Sequence, residues 1–139
     1  MPLFINDSNI KIKSINKSIL KRTLIKTMKY LNIERRHIDI TFVDNVKIKE
    51  LNAKYRNIKE STDVLSFLVD GHDESLLGEV FISLEYAKKN CVINGNPLSK
   101  EVKILSIHAI LHLIGYEHET TKEEKDMFEL QNKLYQKFK

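Results

Sequence analysis

The sequence predicts an α+β (mixed α/β) domain: a mixed sheet of about four strands packed with about five helices. Three observations predict it. Strand-like runs occupy 37–44, 62–69 and 76–83. Apolar residues recur at helical spacing near the start of the chain and again through its last third. The 139 residues are 42% hydrophobic and 30% charged, enough for one core of their own. No repeat, low-complexity tract or linker divides them, so 1–139 reads as a single domain.

Residues 3–6 suit a short first strand. From Ser14 to about Leu31, Ile15, Ile19, Leu20, Leu24, Met28 and Leu31 mark one helix face. HIDITFVD alternates Ile38, Ile40 and Phe42 with polar neighbours, a half-buried strand. Asp44 or Asn45 can cap a helix running to about Asn57, with Val46, Ile48, Leu51 and Tyr55 as its apolar positions. TDVLSFLV and LLGEVFIS are strands, and the turn formers between them predict that they pair. Ser83 caps a short helix through Lys89. After Pro97, Ser99 caps a helix that Gly115 ends, burying Val102, Leu105, Ala109 and Leu113. Thr120 with Glu123, or Thr121 with Glu124, forms a capping box for the last helix. Its stripe, Met127, Leu130, Leu134 and Phe138, reads as core packing.

Composition narrows the function classes. No apolar run approaches the ~20 residues that span a bilayer, and MPLFINDSN has neither the basic nor the apolar region of a signal peptide. Cys91 is the single cysteine, so no intramolecular disulfide forms and a reducing cytoplasm is expected. No nucleophile motif surrounds it. A net charge of +4 and a pI of about 9.1 favour a nucleic-acid partner only slightly, because lysine is spread along the chain.

The chemistry concentrates in HAILHLIGYEH. His108 and His112 are four apart and project from one helix face. Gly115 breaks the helix and lets His118 fold back. Three imidazoles and an open position are the ligand count of a catalytic zinc site, not of a closed structural one. The spacing arises by chance roughly 0.006 times per chain of this composition. The bland alternative makes His108 and His112 core or surface histidines and His118 a loop residue. The spacing is also that of the HExxHxxGxxH metalloproteases, but Ala109 stands where their general base is.

HAILHLIGYEH resembles the H-G-x-L-H-L-x-G-Y-D-H signature of the YbeY endoribonucleases, or rRNA maturation factors. LNAKYRNIKESTDVLSF, 51–67, resembles that family's L-N-x-x-x-R and T-D-V-L-S-F signature, and LLGEVFIS its G-D-I-x-I-S segment. The motifs span about residues 38–118. The departures are Ala109 for Gly, Glu117 and Glu79 for Asp, and Leu68 for Pro. None touches the three histidines.

The resemblance implies a metal-dependent, single-strand-specific endoribonuclease in the cytoplasm. It implies maturation of ribosomal RNA, notably the small-subunit 3′ end, and ribosome quality control. It implies one Zn2+ per chain, held by His108, His112 and His118. Arg56 matches the arginine of the second signature; its guanidinium fork suits the charge that develops in phosphoryl transfer. Arg56 and His112 are the candidate catalytic residues, and the plain alternative for Arg56 is a surface arginine at a helix end. Thr62, Asp63 and Ser66 read first as fold maintenance, with Asp63 or Ser66 alternatively orienting a histidine. Glu117 is a candidate base or orienting acid, Tyr116 a packing residue, and His37 and His72 surface or loop residues. The sequence does not choose between water and the RNA 2′-hydroxyl as nucleophile. Single-stranded ribosomal RNA is the expected partner, with a ribosomal protein or an assembly GTPase as candidates to present it. No membrane is expected, and the chain is read as a monomer. The alternatives are a metal-bearing ribosome-assembly factor that only binds and, further off, a metalloprotease.

Overall fold

The computed structural model describes residues 3–7, 15–58, 62–68, 76–117 and 119–139. The order is β1 (Leu3–Asp7), α1 (Lys17–Tyr30), β2 (His37–Val43), α2 (Asn45–Arg56), β3 (Val64–Leu68), β4 (Leu76–Ser83), α3 (Leu84–Asn94), α4 (Leu98–Leu113) and α5 (Thr121–Phe138). The strands form one mixed sheet in the order β1-β2-β4-β3. β1 and β4 run parallel to β2, and β3 runs antiparallel to β4. This is the α+β class with five helices that the sequence predicts.

Period-two alternation explains the sheet's two faces. Ile38, Ile40 and Phe42 of β2, with Val80 and Ile82 of β4, are fully buried against Leu24 and Met28 of α1 and Val102, Ile107 and Ile110 of α4. Each such side chain contributes about 1.5–3 kcal/mol on burial. The opposite face holds a smaller cluster: Val43, Ile48, Leu51 and Leu65, with Phe67 and Phe81 packed against it. β3 is therefore an edge strand. Ser83 N–H donates to Asp63 O at 2.9 Å. Backbone polar groups alternate in direction along a strand, so the Ser66 carbonyl points away from β4, toward the outer edge of β3.

The helix ends depart from expectation in instructive ways. Ser14 lies outside the described residues, and Asn16 caps α1 by accepting from Ile19 N–H at 3.1 Å. Asp44 caps α2, accepting from Lys47 N–H at 2.8 Å. On α2 only Ile48 and Leu51 of the expected stripe are buried; Val46 and Tyr55 are exposed, and Asn52 is buried instead. Ser83 does cap α3, but the helix runs past Lys89 to Asn94 and stops at Gly95, whose φ of +68° suits glycine. Ser99 does not cap α4. Its N-cap is Pro97, and the buried Glu101 carboxylate instead accepts from the Asn94 and Asn96 side-chain amides at 3.1 and 2.8 Å, clamping the α3–α4 turn. Thr120 caps α5 through Glu123 N–H at 3.1 Å.

Candidate active site

Two structural devices place α4. Gly78 of β4 has no room for a side chain: a Cβ there would lie 2.5 Å from Phe67 O and 2.6 Å from Leu113 Cδ2. The missing side chain lets the end of α4 press onto the β3–β4 pair, with Leu113 beside His112. Gly115, at φ +105°, then turns the chain out of the helix, with its N–H on His112 O at 3.1 Å. His118, three residues further along the chain, lies outside the described residues.

A cleft of about 880 Å³ opens between the end of α2, the outer edge of β3 and the second half of α4. His108 and His112 stand on one side, their rings 4.7 Å apart between centroids and nearly perpendicular. Arg56 lines the other side. Its Nη2 donates to the outward Ser66 carbonyl at 2.9 Å, and its guanidinium carbon lies 5.4 Å from the centroid of the Phe67 ring. These contacts aim the fork, leaving a planar cation suited to an oxyanion. Thr62, Asp63, Ser66, Glu117 and Glu119 also line the cleft. The Thr62 hydroxyl is 3.4 Å from Asp63 Oδ1.

One of the two histidines is braced from behind. His108 Nδ1 lies 2.8 Å from Gln131 Oε1, and Gln131 is buried on α5. An amide oxygen only accepts, so with Gln131 oriented this way the contact takes a His108 ring with its proton on Nδ1, which leaves Nε2 to offer a lone pair when the ring is neutral. Such a brace from behind is the usual support of a metal-ligating histidine, and the ring nitrogens of His108 and His112 are donors that suit a divalent ion. Glu117 Oε2 is 3.8 Å from His112 Nδ1, an ion-pair distance if that ring is protonated and too long for a direct hydrogen bond. Among the described residues alone, no group of three His, Cys, Asp or Glu side chains is gathered for a metal; His118 belongs to the set the sequence suggests.

The remaining candidates fall elsewhere. Tyr116 packs against the main core. His37 begins β2, with Nε2 2.8 Å from Asp39 Oδ1 and away from the cleft. His72 lies outside the described residues. Cys91 is half-buried on α3, where burial first, and the Glu101 carboxylate second, push its thiol pKa up. Sequence reasoning missed Gln131, although it sits four residues after Met127 and three before Leu134, on the buried face of its helix.

The family model described as Endoribonuclease YbeY matches residues 4–139. The chain belongs to the YbeY endoribonuclease family. A relative named Endoribonuclease YbeY from Sulfurihydrogenibium sp. is 45% identical over 129 residues, covering 90% of this chain and 85% of its own. Another so named, from Acholeplasma laidlawii, is 40% identical over 119 residues, covering 86% and 84%. The solution structure of a Thermotoga maritima protein superposes with a TM-score of 0.68 at 32% identity, over 96% of this chain and 87% of that one. The YbeY match thus reaches beyond the motif-bearing stretch, into β1 and all of α5.

Proposed function

We propose that this protein is a metal-dependent endoribonuclease that cleaves single-stranded RNA during ribosomal RNA maturation, at the small-subunit 3′ end, and in ribosome quality control. The observation that carries the reading is the cleft itself, with the histidine pair on one side and an aimed arginine on the other. Family membership supports the endoribonuclease activity.

In this reading His108, His112 and His118 hold one zinc ion. Zinc at such a site lowers the pKa of a water toward ~7 and polarises a phosphoryl oxygen. The chain's own part is positioning. Gln131 keeps the His108 ring in one tautomer and orientation. Arg56, braced by Ser66 and Phe67, offers N–H donors to the phosphate as negative charge grows. Glu117, half-exposed in the cleft, is a carboxylate able to take up a proton. Ala109 is fully buried in the core, so the position of a protease base does not face the cleft, which disfavours peptide hydrolysis by that route. No described helix is long and apolar enough to cross a membrane. The reading places a monomer in the cytoplasm, with ribosomal RNA presented by a ribosomal protein or an assembly GTPase.

The test compares single-stranded and duplex RNA, cut by wild type and by His112→Ala, with metal content measured for both. The expected result is about one metal per wild-type chain, cleavage of single strands only, and loss of both in the variant. Undiminished cleavage by a metal-free variant overturns the metal-dependent reading and leaves the assembly-factor role in its place.

A further inference from the structure

One flank of the cleft is apolar, and the cleavage chemistry does not use it. Tyr55, Ile58, Phe67 and Leu68 line it. Tyr55 is 59%, Ile58 47% and Leu68 63% exposed. Single exposed apolar residues need no explanation, but three gathered in one concavity beside an aimed arginine mark a binding surface. Tyr55 is also held in place. Its ring meets Phe67 edge-on, with centroids 5.4 Å apart at 60°, and Phe67 meets Phe81 in the same manner at 6.1 Å and 64°. The ring is thus buttressed through two further aromatics to the smaller core, yet stays largely open to solvent. Lys54 Nζ lies over one face of the ring, 5.2 Å from its centroid, so a base stacking on that face displaces a long, exposed lysine, whose positive charge then adds to that of Arg56.

We propose that Tyr55, flanked by Ile58 and Leu68, is the platform on which a nucleobase next to the scissile phosphate stacks, and that this platform makes the cleft select unpaired strands. The proposal rests on the endoribonuclease reading and names its substrate-selecting residue. An aromatic face accepts any base, so it confers little sequence preference. It does require a base splayed out of its own stack, which a single strand offers and a duplex withholds. Tyr55 and Arg56 are consecutive in the last turn of α2. Both rest against the Phe67 ring, the Tyr55 centroid and the Arg56 guanidinium carbon each 5.4 Å from its centroid, so a base on the first and a phosphate on the second share one flank of the cleft, with the histidines lining the same cleft.

The chain has no tryptophan, so Tyr55→Trp is a single-site optical probe. The test titrates wild type, Tyr55→Ala, Tyr55→Phe and Tyr55→Trp with a 2′-O-methyl RNA octamer and with an abasic octamer of the same length. Tyr55→Ala is expected to weaken binding of the base-bearing strand roughly 5- to 100-fold, while Tyr55→Phe stays near wild type. The abasic strand binds wild type and Tyr55→Ala alike. Emission of Tyr55→Trp is quenched by the base-bearing strand and not by the abasic one. Equal binding of the base-bearing strand by wild type and Tyr55→Ala overturns the proposal, as does an equal loss with both strands. Should wild type neither bind the octamer nor cut RNA, the endoribonuclease reading falls and this one falls with it. Should wild type cut single strands and Tyr55→Ala bind and cut them equally well, only the stacking platform falls. Because Tyr55 is mostly exposed, the variants are expected to melt with wild type, and the quenching readout does not depend on the alanine variant.

Discussion

Gln131 Oε1 sits 2.8 Å from His108 Nδ1, joining the middle of α5 to the middle of α4. The buried amide holds one imidazole by a hydrogen bond from behind. Gln131→Leu keeps the volume and removes the acceptor, so the ring loses its fixed tautomer. Zinc affinity, measured by competition with a chromophoric chelator, is expected to fall about 10- to 100-fold. Unchanged affinity would show that the contact is packing alone.

Arg56 is aimed by a carbonyl and an aromatic ring, so its geometry matters as well as its charge. Arg56→Lys keeps the charge and loses the planar fork. Turnover on single-stranded RNA is expected to drop about 100-fold or more. Stability is expected to stay within about 0.5 kcal/mol of wild type, since the residue is exposed. A lysine variant with full turnover would reduce Arg56 to a surface charge.

Gly78→Ala tests the close approach beneath the site. The added methyl meets a backbone oxygen, which cannot swing aside, and the Leu113 side chain. Urea unfolding is expected to show a loss of about 1–3 kcal/mol. Metal affinity should weaken too, because Leu113 adjoins His112. An alanine variant as stable as wild type would mean that β3 and α4 yield freely.

Cys91 is expected to be a sluggish thiol. Burial and the Glu101 carboxylate both raise its pKa, so less thiolate is present at neutral pH than in a free cysteine. Its iodoacetamide rate should rise with pH to a midpoint above the ordinary thiol value. A midpoint at or below that value would contradict the environment described.

Most of the architecture was legible because burial and period coincide. Ile38, Ile40 and Phe42 alternate in sequence and are fully buried in β2, and the pairing of β3 with β4 follows from two strand patterns flanking a turn-rich segment. The departures have local causes. The end of α3 beyond Lys89 was not legible because its last turns bury little: Val92 and Ile93 are 85% and 69% exposed and leave no apolar stripe to read. α4 dispenses with a side-chain cap because Glu101 ties down the preceding turn through two asparagines. Tyr55 sits at an apolar helix position yet faces a cleft that only the tertiary fold creates. Within the site, the histidine pair was visible from spacing alone. Gln131 was not, since a glutamine on a helix reads as surface until the opposite helix is in place.

The Gln131–His108 contact also sets an order in time. α5 follows α4 in the chain, so His108, His112 and His118 are all joined to it before the residue that orients the first of them is added. A nascent chain, or one shortened within α5, carries every candidate ligand and lacks the brace. Such a chain is expected to stay a poor metal binder until α5 docks, so an RNA-cutting activity stays silent while its own synthesis is under way.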